Sequence, residues 1–93
     1  METTIKGEIM NHIKIKELIK ELYGLLDEWG VSSLNNGITY YFKFKINDKL
    51  YVASVHEQEH RENSYIISDE TKFVCATMKA KTFEQDLREL GNI

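Results

Sequence analysis

Five consecutive residues of this sequence match a catalytic motif: His56-Glu57-Gln58-Glu59-His60 has the H-E-x-x-H spacing of zinc proteases. On a helix, this spacing puts two imidazoles one turn apart, so that both can bind one zinc ion. The glutamate beside the first histidine then activates the water bound to the metal. The motif therefore raises the question of whether this protein is a metal-dependent hydrolase.

The residues around the motif do not favour a helix. YVASV before it and YIIS after it read as β-strands, and the segment from His56 to Asn63 has no apolar side chain to pack a helix against a core. Glu84, the third ligand considered, falls on the polar side of a later helix. We therefore predict a strand-connecting loop without a metal site. Two alternatives remain: a zinc-dependent hydrolase with His56 and His60 as ligands, or a charge switch in which both imidazoles titrate near neutral pH.

Other catalytic signatures are missing from the sequence. Cys75 lies in KFVCATM without a Cys-x-x-Cys partner or a recognisable hydrolase signature, which favours a small core residue over a nucleophile. No serine lies in a G-x-S-x-G elbow, and the glycines form no phosphate-binding loop. We therefore predict no catalytic residues, no enzymatic activity and no cofactor.

A stripe of aromatic and basic side chains is the second candidate site. In ITYYFKFKI, Tyr41, Lys43 and Lys45 alternate with apolar residues, as in a strand with one open face. Lys49 and Tyr51 are expected to join them from the next strand. Tyrosine is enriched in protein interfaces, and tyrosines beside lysines also bind bases and phosphates. We predict that Tyr41, Lys43, Lys45 and Tyr51 bind a protein partner; a nucleic-acid-binding face is the alternative.

The first element of the predicted scaffold is an amphipathic helix. Apolar residues recur at intervals of three and one along His12–Trp29, which predicts a helix about 27 Å long. Asn11 is a suitable N-cap, and Gly30 is a suitable residue to follow the last turn. The isoleucines upstream either extend the apolar stripe or belong to a loose N-terminal arm over residues 1–10.

Four strand-like runs and a second helix follow. Val31–Gly37 is predicted as a loop, and the turn signals NDK and DET divide the runs ITYYFKFKI, LYVASV, NSYIIS and KFVCATM into two hairpins. Thr82 and Gln85 predict a capping box at the start of the last helix, which Gly91 ends. The expected fold is α+β with the order α-β-β-β-β-α: a four-stranded antiparallel sheet with one long N-terminal and one short C-terminal helix packed on one face.

Composition restricts the class of protein. A chain of 93 residues with 42% hydrophobic and 29% charged residues forms one globular domain, predicted here as residues 1–93. No apolar run approaches the roughly 20 residues of a membrane helix. The single cysteine fits a reducing cytoplasm. The net charge of −3 disfavours nucleic-acid binding, since phosphate neutralisation supplies much of that affinity.

The sequence has no recognisable group of catalytic residues. Together with its composition and charge, this favours a small cytoplasmic, non-enzymatic regulatory or inhibitor-type protein. It is expected to bind another protein, as accessory proteins of bacteria and mobile elements do. The core of so short a chain is thin, and the long apolar stripe with Trp29 also predicts a homodimer that covers exposed apolar surface. Nucleic-acid binding and zinc-dependent hydrolysis are the two alternatives.

Overall fold

The computed structural model describes residues 10–33 and 37–93, which form two helices and a five-stranded antiparallel sheet. The elements are α1 (His12–Leu22), β1 (Asp27–Ser33), β2 (Gly37–Ile46), β3 (Lys49–Glu57), β4 (Ser64–Asp69), β5 (Phe73–Thr77) and α2 (Ala80–Leu90). The strands lie side by side in chain order, each antiparallel to its neighbour. The α+β class and the antiparallel sheet are confirmed, whereas the predicted number of four strands is wrong.

The predicted first helix is wrong in its second half. The helix ends at Leu22, because the chain turns at Gly24, which has a φ of 86°. The backbone amides of Tyr23 and Gly24 both donate to the carbonyl of Ile19, at 2.8 and 2.9 Å. Glycine adopts this left-handed conformation without the steric cost that a side chain brings. Gly24, rather than Gly30, therefore follows the end of the helix.

The fifth strand, β1, occupies residues predicted as the end of the helix and the start of a loop. It pairs with β2 from Asp27 opposite Lys43 to Ser33 opposite Gly37. Trp29 and Val31 lie on one face of this strand, and Gly30 between them lies on the other. Of the predicted Val31–Gly37 loop, residues 31–33 belong to β1 and Gly37 to β2, while residues 34–36 lie outside the described part of the chain.

The helix boundaries depend on local caps, of which one was predicted wrongly. Asn11 caps α1 as expected, since its side-chain oxygen accepts from the amide of Lys14 at 3.0 Å. Gly91 follows the last turn of α2, also as expected. The predicted capping box at Thr82 is absent: α2 begins at Ala80, its N-cap is Lys79, and no side chain caps it. Thr82 therefore lies inside the first turn, and the acidic residues after it lie beyond that turn.

The core lies between the two helices and one face of the sheet. Its fully buried members come from α1, α2 and the three central strands: Ile15, Ile19, Phe42, Phe44, Ala53, Val55, Ile67, Phe83 and Leu87. The alternation predicted for β2 is confirmed, because Phe42, Phe44 and Ile46 are buried on this face. The hydroxyl of Tyr23 donates to the carbonyl of Leu87, which joins the end of α1 to the end of α2.

Residues 1–9 of the predicted N-terminal arm lie outside the described part of the chain. The carbonyl of Met10 accepts hydrogen bonds from the Tyr65 hydroxyl at 2.9 Å and from the Asn63 amide at 3.4 Å. Among the residues that the structure describes, no helix has the length and apolar character needed to cross a membrane.

Candidate functional site

The five residues with zinc-protease spacing lie at the end of a strand and in a turn. His56 and Glu57 are the last residues of β3, and His60 lies in the following turn with a φ of 63°. Because successive side chains of a strand point to opposite faces, His56 and Glu57 lie on opposite sides of the sheet. The helix that would put both imidazoles on one metal is therefore absent. The predicted connector is confirmed for residues 58–63, whereas His56 and Glu57 belong to the strand.

The motif residues have separate structural partners. The Nδ1 of His56 lies 2.7 Å from the Oγ1 of Thr39, on the face of the sheet away from the helices. On the helix side, the Oε2 of Glu57 accepts a hydrogen bond from the backbone amide of His12 at 2.6 Å. His60 is exposed and lines a different cavity from the one that His56 lines. The glutamate that would act as a base is thus engaged by α1.

A metal centre also lacks a third ligand within residues 10–33 and 37–93. No group of three or more histidine, cysteine, aspartate or glutamate side chains in these ranges is placed to hold a metal ion. The Oε2 of Glu84 lies 3.2 Å from the Nε of Arg88, in an ion pair along α2. The geometry on which zinc hydrolysis depends is therefore missing around His56 and His60.

The predicted aromatic and basic stripe divides between the two faces of the sheet. Tyr41, Lys43 and Lys45 lie on the face away from the helices, as expected from the alternation of β2. Tyr51 lies on the opposite face: it is 8% exposed, and its ring centroid is 5.7 Å from that of Phe44. Tyr51 is paired with Phe44 across the β2–β3 ladder, and directly paired residues share a face.

The other residue expected to join the stripe, Lys49, also lies on the helix side of the sheet. Its Nζ is 3.3 Å from the Oδ2 of Asp69 and 5.6 Å from the ring centroid of Tyr51. Asp69 in turn accepts hydrogen bonds from the Thr71 and Lys72 amides, which hold the pKa of its carboxyl well below the usual range. Lys49 and Tyr51 are thus separated by the sheet from Tyr41, Lys43 and Lys45.

Trp29 is the functional candidate that the sequence reasoning placed wrongly. It lies on β1 opposite Tyr41, and the two rings stack with centroids 5.2 Å apart and an interplanar angle of 12°. Trp29 is 42% exposed, and Val31 beside it on the same face is 49% exposed. Two features of the sequence indicate β1: Gly24, which can end the helix, and the alternation of large and small side chains around Trp29 and Val31.

A shallow groove of about 420 Å³ crosses the open face of the sheet between aromatic walls. Tyr41 forms one wall, with Trp29 stacked behind it, and Phe73 of β5 forms the other. The central strands contribute small or polar side chains to its lining: Thr39, Ser54, His56, Ser64 and Ser68, together with Ile66. We call this feature the open groove.

The charged side chains of the open face are mainly basic. Neither Lys43 nor Lys45 forms an ion pair with another described residue. Asp27 lies opposite Lys43 in the β1–β2 register, where its Oδ1 accepts a hydrogen bond from the amide of Glu28 at 2.9 Å. Two lysines thus lie on the same face of β2 as Tyr41, beyond the lining of the open groove, and are available to an acidic partner.

Cys75 lies on the helix side of β5, half-buried against the core. Burial, and then the neighbouring carboxylate of Asp86, raise the pKa of the Cys75 thiol to about 11. A thiol with this pKa stays protonated at neutral pH, and the thiolate is the nucleophilic form. The prediction of Cys75 as a core residue is confirmed only in part, because Cys75 packs against the core but is not fully buried.

A second, larger cavity of about 710 Å³ lies between the β3–β4 connector and the start of α2. Tyr65 and Met78 contribute apolar surface to it, and Arg61, Lys79 and Lys81 contribute positive charge. It shares no lining residue with the open groove. Volume alone favours this second cavity, but the exposed stacked aromatic pair borders the open groove, which we regard as the better candidate site.

Comparison of the chain with known proteins does not assign it to a family. No family model matches it, and neither the search of curated proteins nor the search of solved structures found a significant match.

Proposed function

We propose that this chain is a small non-enzymatic protein, of the regulatory or inhibitor type, that binds another protein through the open groove. The observation that carries the proposal is the Trp29–Tyr41 stack on the open face, 5.2 Å between ring centroids, with Phe73 on the far side of the groove. Trp29 and Phe73 are 42% and 74% exposed, so large apolar surfaces face solvent. Exposed apolar surface of this kind marks interaction sites.

The aromatic side chains are suited to anchor a partner. Tryptophan and tyrosine contribute large contact areas and are enriched among the residues that dominate interface energetics. Stacking of Trp29 on Tyr41 restricts both rings before binding, which lowers the conformational entropy lost on association. Between the walls, Ser54, Ser64 and Ser68 leave room for a partner side chain and offer hydroxyl groups for hydrogen bonds.

Charge indicates which partner segment fits best. Lys43 and Lys45 follow Tyr41 along the same face of β2 and are free of ion pairs with other described residues. A segment with an apolar side chain for the groove and acidic side chains beside it would complement this surface. The same surface is the basis of the nucleic-acid alternative, which the net charge of −3 disfavours.

Partner capture with matched variants tests the proposal. Tagged wild-type protein, Trp29→Ala and Lys43→Glu are compared with Lys20→Glu, which makes the same charge change on the exposed side of α1. We expect a specific protein to be retained by wild type and Lys20→Glu and lost from both open-face variants. Titration of the purified partner should then weaken at least about tenfold for Trp29→Ala, as for a typical interface anchor.

Equal retention by all four proteins would contradict a role for the open groove. Labelled single-stranded and duplex DNA and RNA are titrated in parallel at low salt. A salt-dependent complex that Lys43→Glu weakens and Lys20→Glu does not would replace the protein-binding proposal with the nucleic-acid alternative. A cytoplasmic location for the protein remains a prediction, to be checked by fractionation of the native host.

A further inference from the structure

The second cavity, of about 710 Å³, lies where two segments that are separate in the sequence meet. Tyr65 on β4 is paired with Thr77, the last residue of β5, so the β3–β4 connector and the start of α2 lie at the same end of this strand pair. The rings of Tyr65 and Phe83, with centroids 5.1 Å apart, hold the beginning of α2 against β4. The cavity volume is within the range of about 300–1,000 Å³ that is typical of small-molecule sites.

Positive charge predominates in the lining of this cavity. Arg61 comes from the connector, and Lys79 and Lys81 come from the start of α2. None of the three forms an ion pair with another described residue. Glu62 is the only carboxylate among the described lining residues, so three positive charges and one negative charge leave a net charge of +2 when His60 is neutral. Because these like charges repel one another, an anion between them is favoured.

The remaining lining offers apolar surface beside these charges. Tyr65 is 3% exposed, and its hydroxyl already donates to the carbonyl of Met10 at 2.9 Å, so its ring is the part that contributes to the lining. Met78 is 55% exposed, and its flexible thioether adapts to the shape of an apolar group. A ligand that complements the whole lining therefore has both an anionic and an apolar part.

We propose that the second cavity binds a small molecule in which a phosphate monoester is joined to an apolar or aromatic group. A phosphate monoester carries a charge of about −1.5 to −2 at pH 7, which matches the lining better than the single charge of a carboxylate. The planar guanidinium of Arg61 is suited to two phosphate oxygens, and the lysines contribute point charges. The site shares no lining residue with the open groove, so ligand binding here is separate from protein binding there.

Titration of the full chain with phenyl phosphate, followed by NMR of the backbone amides in a phosphate-free buffer at low salt, tests the proposal. We expect a dissociation constant of about 1 mM or lower, with the largest shifts in residues 60–63 and 78–81. Inorganic phosphate lacks the apolar group, and benzoate has the smaller charge, so each should bind at least about fivefold more weakly. Titration with AMP under the same conditions distinguishes a nucleotide from a simple aryl phosphate as the better ligand.

Charge variants locate the binding within the cavity. Arg61→Gln and Lys81→Gln should each weaken binding of phenyl phosphate about three- to tenfold. The control Lys72→Gln removes the same charge at the other end of β5, outside the lining, and should leave the affinity unchanged. Glu62→Gln should tighten binding about twofold, a gain that loss of folding does not produce. Its control is Glu59→Gln, which makes the same charge change outside the lining and should have no effect.

A further variant tests the apolar part of the ligand. Met78→Ala should weaken binding of phenyl phosphate severalfold and leave binding of inorganic phosphate unchanged, while Trp29→Ala, in the wall of the other site, should bind both as wild type does. Absence of shifts in residues 60–63 and 78–81 at about 10 mM phenyl phosphate overturns the proposal. Equal weakening by Lys81→Gln and Lys72→Gln also overturns it, since the phosphate would then follow net charge rather than the cavity.

Discussion

The Oε2 of Glu57 lies 2.6 Å from the backbone nitrogen and 2.9 Å from the Nδ1 of His12, the first residue of α1. The imidazole also stacks on Tyr40, with ring centroids 3.7 Å apart. A carboxylate at a helix N-terminus satisfies a backbone amide that lacks a partner within the helix, and it is favoured by the helix dipole. The glutamate of the protease-like motif thus joins the end of β3 to the start of α1.

Replacement of Glu57 should destabilise the protein. Glu57→Ala removes the acceptor for both His12 donors, and we expect the free energy of unfolding to fall by about 1–3 kcal/mol. Glu59→Ala is the matched control, because Glu59 is an exposed carboxylate two residues away; its effect should stay within about 0.5 kcal/mol. Urea denaturation measures both. Equal effects of the two substitutions would contradict the role assigned to Glu57.

Metal removal should leave the fold unchanged. The imidazoles of His56 and His60 lie at a strand end and in a turn, with Glu57 engaged by α1, so no shared metal is expected to stabilise the protein. The unfolding temperature with EDTA should equal that with added zinc. Stoichiometric zinc that is lost in both His56→Ala and His60→Ala would show that a site forms between these residues after all.

Two glycines with similar backbone conformations should differ in their tolerance of a side chain. Gly24 and Gly37 have φ values of 86° and 84°. A Cβ on Gly37 would lie 2.0 Å from the carbonyl oxygen of Glu57, whereas a Cβ on Gly24 would have no atom within 4 Å apart from its chain neighbours. Gly24→Ala should cost about 1–2 kcal/mol, the penalty of the left-handed conformation alone.

Gly37→Ala must also displace backbone, so a loss of about 4 kcal/mol or more, among the largest for single substitutions, is expected. Denaturant titration of both variants gives the comparison. Similar losses for the two would mean that the close approach of Gly37 to Glu57 is not present in solution.

The thiol of Cys75 should react slowly. With its pKa raised to about 11, chiefly by burial, about one thiol in a thousand is ionised at pH 8, whereas an ordinary cysteine is substantially ionised. Asp86→Asn removes the nearby negative charge and should increase the rate of modification by a thiol reagent severalfold. Glu89→Gln, an exposed change on the same helix, serves as the control. A rate insensitive to Asp86→Asn would exclude its carboxylate as a cause.

Alkaline pH should destabilise the fold through two tyrosines. Burial raises the pKa of Tyr23 and of Tyr65 above the ordinary value of about 10. Near and above that value, the unfolded chain releases these protons while the folded chain retains them. The contribution of these two phenols to the free energy of unfolding is therefore fully present below about pH 10. It is lost as the pH rises through the raised pKa values of the two tyrosines.

Denaturant titrations between pH 8 and 11 should record this decline, with a shallower slope in Tyr23→Phe and Tyr65→Phe. Each substitution should also cost about 1 kcal/mol at pH 7 by removing a hydroxyl hydrogen bond. Slopes identical to that of the wild type would rule out these two phenols as the source of the pH dependence.

Local patterns in the sequence were enough for several elements. The alternation of β2 correctly predicted that Phe42 and Phe44 are buried and that Tyr41 and Lys43 lie on the opposite face. Asn11 was correctly predicted as the cap of α1. Strand-like residues on both sides of HEQEHREN correctly excluded the helix that a zinc protease needs. In each case the informative pattern lies within a few residues along the chain.

The tertiary structure decided the identity of the candidate site. The apolar spacing up to Trp29 fits a helix. However, the turn at Gly24 ends α1, and the next segment pairs with the edge of β2 as strand β1. That pairing puts Trp29 against Tyr41, while the β2–β3 register turns Tyr51 towards the core. A periodic pattern indicates which residues share a face of one element, whereas the neighbour of that face depends on hydrogen bonds between segments far apart in the chain.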